Sequence, residues 1–210
     1  MFVYLRDPAE IYRLSFETIR REAAMDGLPE DIAALVARLI HACGMTDLLG
    51  DLAFSTDVVQ AGRAALSGGA PLLCDTAMTA SGIMRRHLPA ANDVVAGTDN
   101  PEAAEHAHRI GNTRSAAAVD LWADRLDGAV VAIGSAPTAL FRMIERIDID
   151  GYRPAAILAF PVGFVGASES KALLIEADLG IPYITLRGRR GGSALAAAAV
   201  NALLIEDHAA

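Results

Sequence analysis

Features of a secreted, membrane-spanning or disulfide-built protein are scarce in this sequence. Only two of its 210 residues are cysteine, Cys43 and Cys74. Two cannot form a disulfide scaffold, and their separation fits no zinc-site spacing. No apolar run reaches the roughly 18 residues of a spanning helix. The opening residues, Met1-Phe2-Val3-Tyr4-Leu5-Arg6-Asp7, lack the basic start and long apolar stretch of a signal peptide. Positive charge is in deficit: 18 basic against 26 acidic side chains leave a net charge of −8. Nucleic-acid-binding domains are usually basic on one broad face, and anionic membranes attract basic segments, so neither partner is expected. Lysine is almost absent, since every basic residue but Lys171 is arginine. Genomic base composition would account for that and for the many alanines. The functional alternative is a need for planar guanidinium groups that grip carboxylates or phosphates with two prongs.

What is present is apolar. Hydrophobic residues make up 53% of the chain, enough for a sizeable core and too many for a disordered protein. With no linker, repeat or low-complexity segment, residues 1–210 read as one domain, and a cytoplasmic location is expected.

The first part of the chain reads as two helices. Asp7-Pro8-Ala9-Glu10 combines an N-cap, proline at the first helical position and glutamate three residues on. Ile11, Leu14, Phe16 and Ile19 then recur at helical spacing toward Gly27. Pro29-Glu30-Asp31 opens a second helix that runs through His41-Ala42-Cys43 to a stop at Gly44. From about residue 50, short apolar runs alternate with helices. The predicted strands are Leu52–Phe54, Pro71–Cys74, Asp93–Ala96, Ala129–Ile133, Ala155–Phe160 and Tyr183–Leu186, the first being short and weak. Helices are predicted over about 56–67, 76–83, 101–109, 114–126, 137–147, 168–178 and 193–205. Runs such as Val130-Val131-Ala132-Ile133 show no polar alternation, as in strands covered on both faces. The expected fold is a three-layer α/β/α arrangement with a mostly parallel sheet of about five strands, flavodoxin-like in winding.

In such a sheet ligands bind beyond the carboxyl ends of the strands. Three loops there share one chemistry: Gly134-Ser135-Ala136-Pro137-Thr138, the stretch from Pro161 to Ser168, and Arg187-Gly188-Arg189-Arg190-Gly191-Gly192-Ser193. Each carries glycine and small hydroxyl residues and opens a helix, where free N–H groups and the helix dipole favour anions. Glycines that merely permit tight turns would explain any one of them. The last is the sharpest, because positive charge before a helix start opposes the dipole unless an anion is shared. Arg114, in the first turn after Gly111-Asn112-Thr113, repeats that conflict. Either a ligand anion or a carboxylate such as Asp120 or Glu145 would answer it. Neither standard nucleotide-binding glycine signature is present.

Of the five histidines, His106 and His108 read as surface residues and His208 as part of the tail. His87 follows Arg85-Arg86. His41 ends an apolar helix, where a histidine is favourable to the dipole. It is also the best candidate acid or base near neutral pH. A Cys43–His41 nucleophilic pair lacks an orienting partner.

At these residues the sequence resembles the precorrin-8X methylmutase family of cobalamin biosynthesis. The marks run along nearly the whole chain. They are Ile11-Tyr12 with Ser15-Phe16, His41-Ala42-Cys43-Gly44, Cys74-Asp75 with Met78 and Gly82, and Gly111 through Ala117. Further marks are Val131 through Gly134, Ala136 through Leu140, Pro161 through Ala167 with Glu169-Ser170-Lys171, and Arg187-Gly188-Arg189 with Gly191-Gly192-Ser193. Ser135 departs from the pattern, which carries asparagine there; a backbone cradle would not depend on it.

The resemblance implies a flavodoxin-type homodimer with a tetrapyrrole near the subunit interface. It implies migration of a methyl group from C11 to C12 of precorrin-8X, giving hydrogenobyrinic acid, with no cofactor and no metal. It carries the general-acid role onto His41. Candidate carboxylate contacts are Arg114, Lys171, Arg187 and Arg189, with Gly191, Gly192 and Ser193 as helix-start contacts and Ser15 and Thr138 as weaker ones. The cobalt-containing substrate of the oxygen-independent route, a non-catalytic tetrapyrrole carrier and an enzyme acting on a small phosphorylated compound are the alternatives.

Overall fold

Runs that are apolar at every position need cover on both faces, and the computed structural model, which describes residues 2–205, provides it. The parallel strands are β2 (Leu72–Cys74), β3 (Val94–Ala96), β4 (Val130–Ile133), β5 (Ala156–Ala159) and β6 (Tyr183–Leu186). Every residue of β2, β4 and β5 is buried. The weak run Leu52–Phe54 becomes a sixth strand, β1, antiparallel to β6 with Leu52 opposite Leu186. The sheet order is β1-β6-β5-β4-β2-β3. Numbered by themselves, the parallel strands run 2-1-3-4-5, the flavodoxin-like winding, with the switch point between β2 and β4.

Alternate side chains divide the core. Leu72, Cys74, Val130, Ala132, Leu158 and Ile184 face one layer, while Leu73, Val131, Ile133, Ile157 and Ala159 face the other. The second layer is α6 (Arg114–Asp120), α7 (Pro137–Asp150) and α8 (Ala167–Glu176), with α5 (Glu102–Ile110) packed on α6. The first is α3 (Val58–Ser67), the short α4 (Ala77–Ser81) and α9 (Ser193–Leu204). The alanines of α9 let backbones approach on every side. It touches β4 and β5, and α2 (Glu30–Cys43) packs on its far side instead of on the sheet. In turn α1 (Pro8–Glu22) packs on α2. One face of the sheet therefore carries extra helices beyond a plain three-layer arrangement, and these bring His41.

The helix signals hold at α1, where the Asp7 carboxylate accepts the Ala9 N–H at 3.0 Å. Glu10 does not close a capping box; it pairs with Arg13. The helix stops at Glu22, before Gly27. Gly44 ends α2 as expected, left-handed at φ 70°, with its N–H on the Ile40 carbonyl. The single helix predicted over 114–126 is shorter: α6 stops at Asp120 and a 3-10 turn follows at Ala123–Arg125. His208 lies outside the described residues.

Candidate active site

The antiparallel sense of β1 decides where His41 sits. Because β1 starts opposite the end of β6, the 3-10 turn Thr46–Asp51 before it must lie at the carboxyl edge of the sheet. The end of α2, with His41, Cys43 and Gly44, is carried to that edge. There the Asp51 carbonyl accepts the Arg187 N–H at 2.6 Å. Arg190 donates to Asp47 at 2.6 Å and lies 3.8 Å from Asp51. That hydrogen bond holds the Asp47 carboxyl below its ordinary pKa.

His41 is exposed and lines a groove of about 380 Å³ between α1 and the end of α2, with Leu14, Ser15, Thr18 and Thr46 among its walls. Its Nδ1 is 2.9 Å from the Ser15 hydroxyl. Its ring stacks on buried Phe16 at 4.9 Å and meets Tyr12 edge-on at 6.0 Å. Arg38, one turn back on α2, is buried over the Phe16 ring and donates to the Tyr12 hydroxyl at 2.9 Å. Two aromatic contacts and one hydrogen bond thus fix the imidazole. Nε2 has no protein hydrogen-bond partner among the described residues. The Cys43 thiol donates to the Ile40 carbonyl at 3.8 Å and makes no hydrogen bond with His41 among the described residues. Cys74 is buried, which with the charge of Asp75 pushes its thiol up to about 12.

The loop from Arg187 to Gly192 is pinned along its backbone. Gly163 N–H donates to the Arg189 carbonyl at 3.3 Å, and Gly192 N–H to the Phe160 carbonyl at 2.7 Å. Gly191 passes so close to β5 that a Cβ there would stand 2.2 Å from the Phe160 oxygen, so only glycine fits. The side chains of Arg187 and Arg189 stay exposed. Arg189 lies 5.4 Å over the ring of Phe164, and Phe164 and Val165 are 86% and 88% exposed. A cation thus stands beside an open apolar surface.

The loop after β4 is not an open anion cradle. Buried Asp75, at the end of β2, already occupies it. Its carboxylate accepts N–H groups from Gly134 (3.1 Å), Ser135 (2.7 Å) and Ala136 (2.9 Å), and the Thr79 hydroxyl at 2.9 Å. The negative charge sits at the start of α7, where the dipole favours it.

The remaining predicted residues divide. Arg114 pairs with neither Asp120 nor Glu145; it is exposed and donates to the Thr98 carbonyl at 2.6 Å. Thr138 is 2.7 Å from Thr113, so the starts of α6 and α7 meet at the switch point. Ser193 is buried beneath Gly134. Lys171 is wholly buried and reaches the Arg190 carbonyl at 2.5 Å. His106 is not a free surface residue. It meets Asp120 at 2.7 Å, in a network with Arg142 and Arg146. Burial pushes the Asp120 carboxyl up, but Arg142, His106 and Arg146 outweigh it and hold it low.

The family model for precorrin-8X methylmutase (CbiC) matches residues 10–206. The chain belongs to that family. A precorrin-8X methylmutase of Pseudomonas aeruginosa is 53% identical, covering 98% of this chain and 99% of its own. One from a Sinorhizobium species is 50% identical over 95% of each. A cobalt-precorrin-8 methylmutase of Priestia megaterium is 33% identical, covering 94% and 88%. The crystal structure of a precorrin-8X methylmutase from Thermus thermophilus matches with a TM-score of 0.84 at 38% identity, over 93% of this chain and 94% of that one.

In this member of the precorrin-8X methylmutase family, three features of the site went unread in the sequence. Tyr12 and Arg38 brace Phe16 and the imidazole. Asp47 and Asp51 hold the arginine loop. Asp75 fills the β4 loop. Only Asp75 carried a usable local signal, an acidic residue at the end of an all-apolar strand.

Proposed function

We propose that this protein catalyses the intramolecular migration of a methyl group from C11 to C12 of precorrin-8X, giving hydrogenobyrinic acid, with His41 as general acid. The observation that carries the reading is the state of the imidazole. Ser15 holds Nδ1, aromatic rings fix the plane, and Nε2 is left for a ligand in the groove. As imidazolium, His41 donates Nδ1–H to the Ser15 oxygen and Nε2–H to the macrocycle at a ring nitrogen. The conjugated system becomes electron-poor, and the methyl group moves with its bonding pair from C11 to C12. After transfer, the neutral ring keeps Nδ1–H on Ser15. Isomerisation consumes no net proton, so His41 takes its proton back and the cycle closes without a second acid.

The substrate's several carboxylates are negative, as is the protein. Arg187, Arg189 and Arg114 are the local cations proposed to receive them, with Phe164 and Val165 against the ring. The groove is too small for a whole macrocycle. Beside it α1 exposes Ile11, Tyr12 and Leu14, and the segment before α1 exposes Phe2, Val3 and Tyr4. We propose that a second copy covers this surface and closes the site. Both cysteines are free thiols, in keeping with a reducing cytoplasm.

Identity of 53% and 50% to relatives named for precorrin-8X, against 33% to the cobalt-precorrin-8 relative, favours the metal-free substrate. Incubating the enzyme with both forms and following the visible spectrum tests that choice. His41→Ala tests the mechanism. Turnover should fall by about 10²–10⁴-fold while hydrogenobyrinic acid still binds. Unchanged turnover would remove His41 from the chemistry, and binding without turnover in the wild type would leave a carrier.

A further inference from the structure

Lys171 is the single lysine of the chain, and its side chain is wholly buried. A buried ammonium loses its hydration, and an apolar side chain of similar length would fill the space without that loss. Here the ammonium has one hydrogen-bond acceptor among the described residues, the Arg190 carbonyl at 2.5 Å. Arg190 belongs to the loop whose neighbouring side chains, Arg187 and Arg189, stand exposed at the carboxyl edge. We infer that Lys171 is a positioning residue: its ammonium, fixed on α8, aims the arginine loop at the substrate without touching it.

The geometry of the loop supports this. Three ties run between the β5–α8 unit and the loop: Gly163 N–H to Arg189, Lys171 Nζ to Arg190, and Gly192 N–H to Phe160. The outer two are ordinary backbone bonds. The middle one is charge-assisted, and it sets the direction of the Arg190–Gly191 peptide where Gly191 presses on β5. On the far side of the same residue, the Arg190 guanidinium is held by Asp47. Without the ammonium, the segment between the outer ties would pivot, and Arg189, which sits at one of them, would move with it; Arg187 stays tied to Asp51. The charged and titratable groups that face this point are Asp51 toward Lys171, and Asp47, Asp51 and Cys43 toward Arg190. Burial pushes the ammonium down to about 8, with Asp51 opposing. The charge on the middle tie is therefore lost within a range that leaves substrate carboxylates fully ionised.

The inference rests on the reading that the arginine loop binds substrate carboxylates. Its test is run on the full chain in a Cys43→Ser background, which removes the nearby thiol from the titration. For Lys171→Met at pH 7, KM and the Kd of hydrogenobyrinic acid should rise about tenfold with kcat within twofold. The Kd of the parent should weaken between pH 7 and 9.5, whereas that of Lys171→Met should stay flat, and Lys171→Arg should recover affinity with no alkaline limb. A folded Lys171→Met with unchanged Kd would overturn the proposal. So would an alkaline limb that survives the substitution. Should Lys171→Met not fold, a parent Kd that is level from pH 7 to 9.5 overturns it equally. The Arg187→Ala/Arg189→Ala double variant, measured alongside, separates the two ideas: if it leaves Kd unchanged, the loop does not bind carboxylates and the underlying reading fails first.

Discussion

Replacing Asp75 by asparagine should cost several kcal/mol, although the shape hardly changes. The carboxylate sees donors on both oxygens. Oδ2 accepts from Ser135 and Ala136; Oδ1 accepts from Gly134 and the Thr79 hydroxyl. An amide group turned toward Oδ2 would face two N–H groups. Turned toward Oδ1 it faces one N–H and a hydroxyl that can reverse its role, so this is the cheaper arrangement. It strands the buried Gly134 N–H, at about 1–3 kcal/mol. It also weakens the two bonds at Oδ2 from charge-assisted to neutral, about 1 kcal/mol each. Removing the charge from the start of α7 adds a further ~0.3–1 kcal/mol. The sum is about 3–6 kcal/mol, a large share of the 5–15 kcal/mol typical of a folded domain. Asp75→Ala strands three N–H groups and should cost more. Guanidinium chloride unfolding followed by circular dichroism at pH 7 measures both. An Asn variant within about 1 kcal/mol of the wild type would refute the accounting. An Asn variant of normal stability that no longer binds hydrogenobyrinic acid would mean that Asp75 belongs to the binding site and not to the scaffold.

Three further outcomes follow from the same geometry. Gly191→Ala places a methyl group 2.2 Å from the Phe160 oxygen and 2.7 Å from that of Pro161, so the loop must shift; thermal denaturation should show a lower Tm and titration a weaker product Kd, and an unchanged Tm would contradict the contact. Ser15→Ala frees Nδ1 of His41 without touching the groove's apolar walls; steady-state kinetics should show kcat down about tenfold with product Kd unchanged, in line with the ~1.4 kcal/mol of a single hydrogen bond. Arg187→Ala removes a charge-assisted contact worth about 1.5–3 kcal/mol, so product Kd should rise by about 10- to 150-fold and become less salt-sensitive; a normal Kd with normal salt dependence would rule Arg187 out as a contact.

Local signals were legible and long-range ones were not. The all-apolar strands, the proline-led start of α1 and the glycine stop of α2 depend on neighbours within a turn, and the structure keeps them. His41 was readable as a helix-end histidine. Its anchoring was not, because Ser15 is 26 residues away and the two meet only when α1 packs on α2. Asp75 meets its three N–H donors across 59 to 61 residues, so the β4 loop looked like an empty cradle. The antiparallel β1 was weak in sequence because three residues carry little pattern, yet its direction brings the end of α2 to the carboxyl edge.

The division of the cations bears on the proposal that an acidic chain holds an acidic ligand. Arg187, Arg189 and Arg190 cluster in sequence, and the fold gives them different work. Arg190 is neutralised by Asp47 and Asp51 and ties the loop to the turn that follows His41. Lys171 is withdrawn from solvent beneath the same residue. Arg114 leans on a neutral carbonyl and keeps its full charge. Arg187, Arg189 and Arg114 are left exposed, with no carboxylate partner among the described residues. The surrounding negative charge, screened beyond about 10 Å at ordinary salt, then works against anions in general and weakly at this edge. Under the proposed function, a ligand bearing several carboxylates on a rigid ring is favoured, because it can meet more than one of these cations at once.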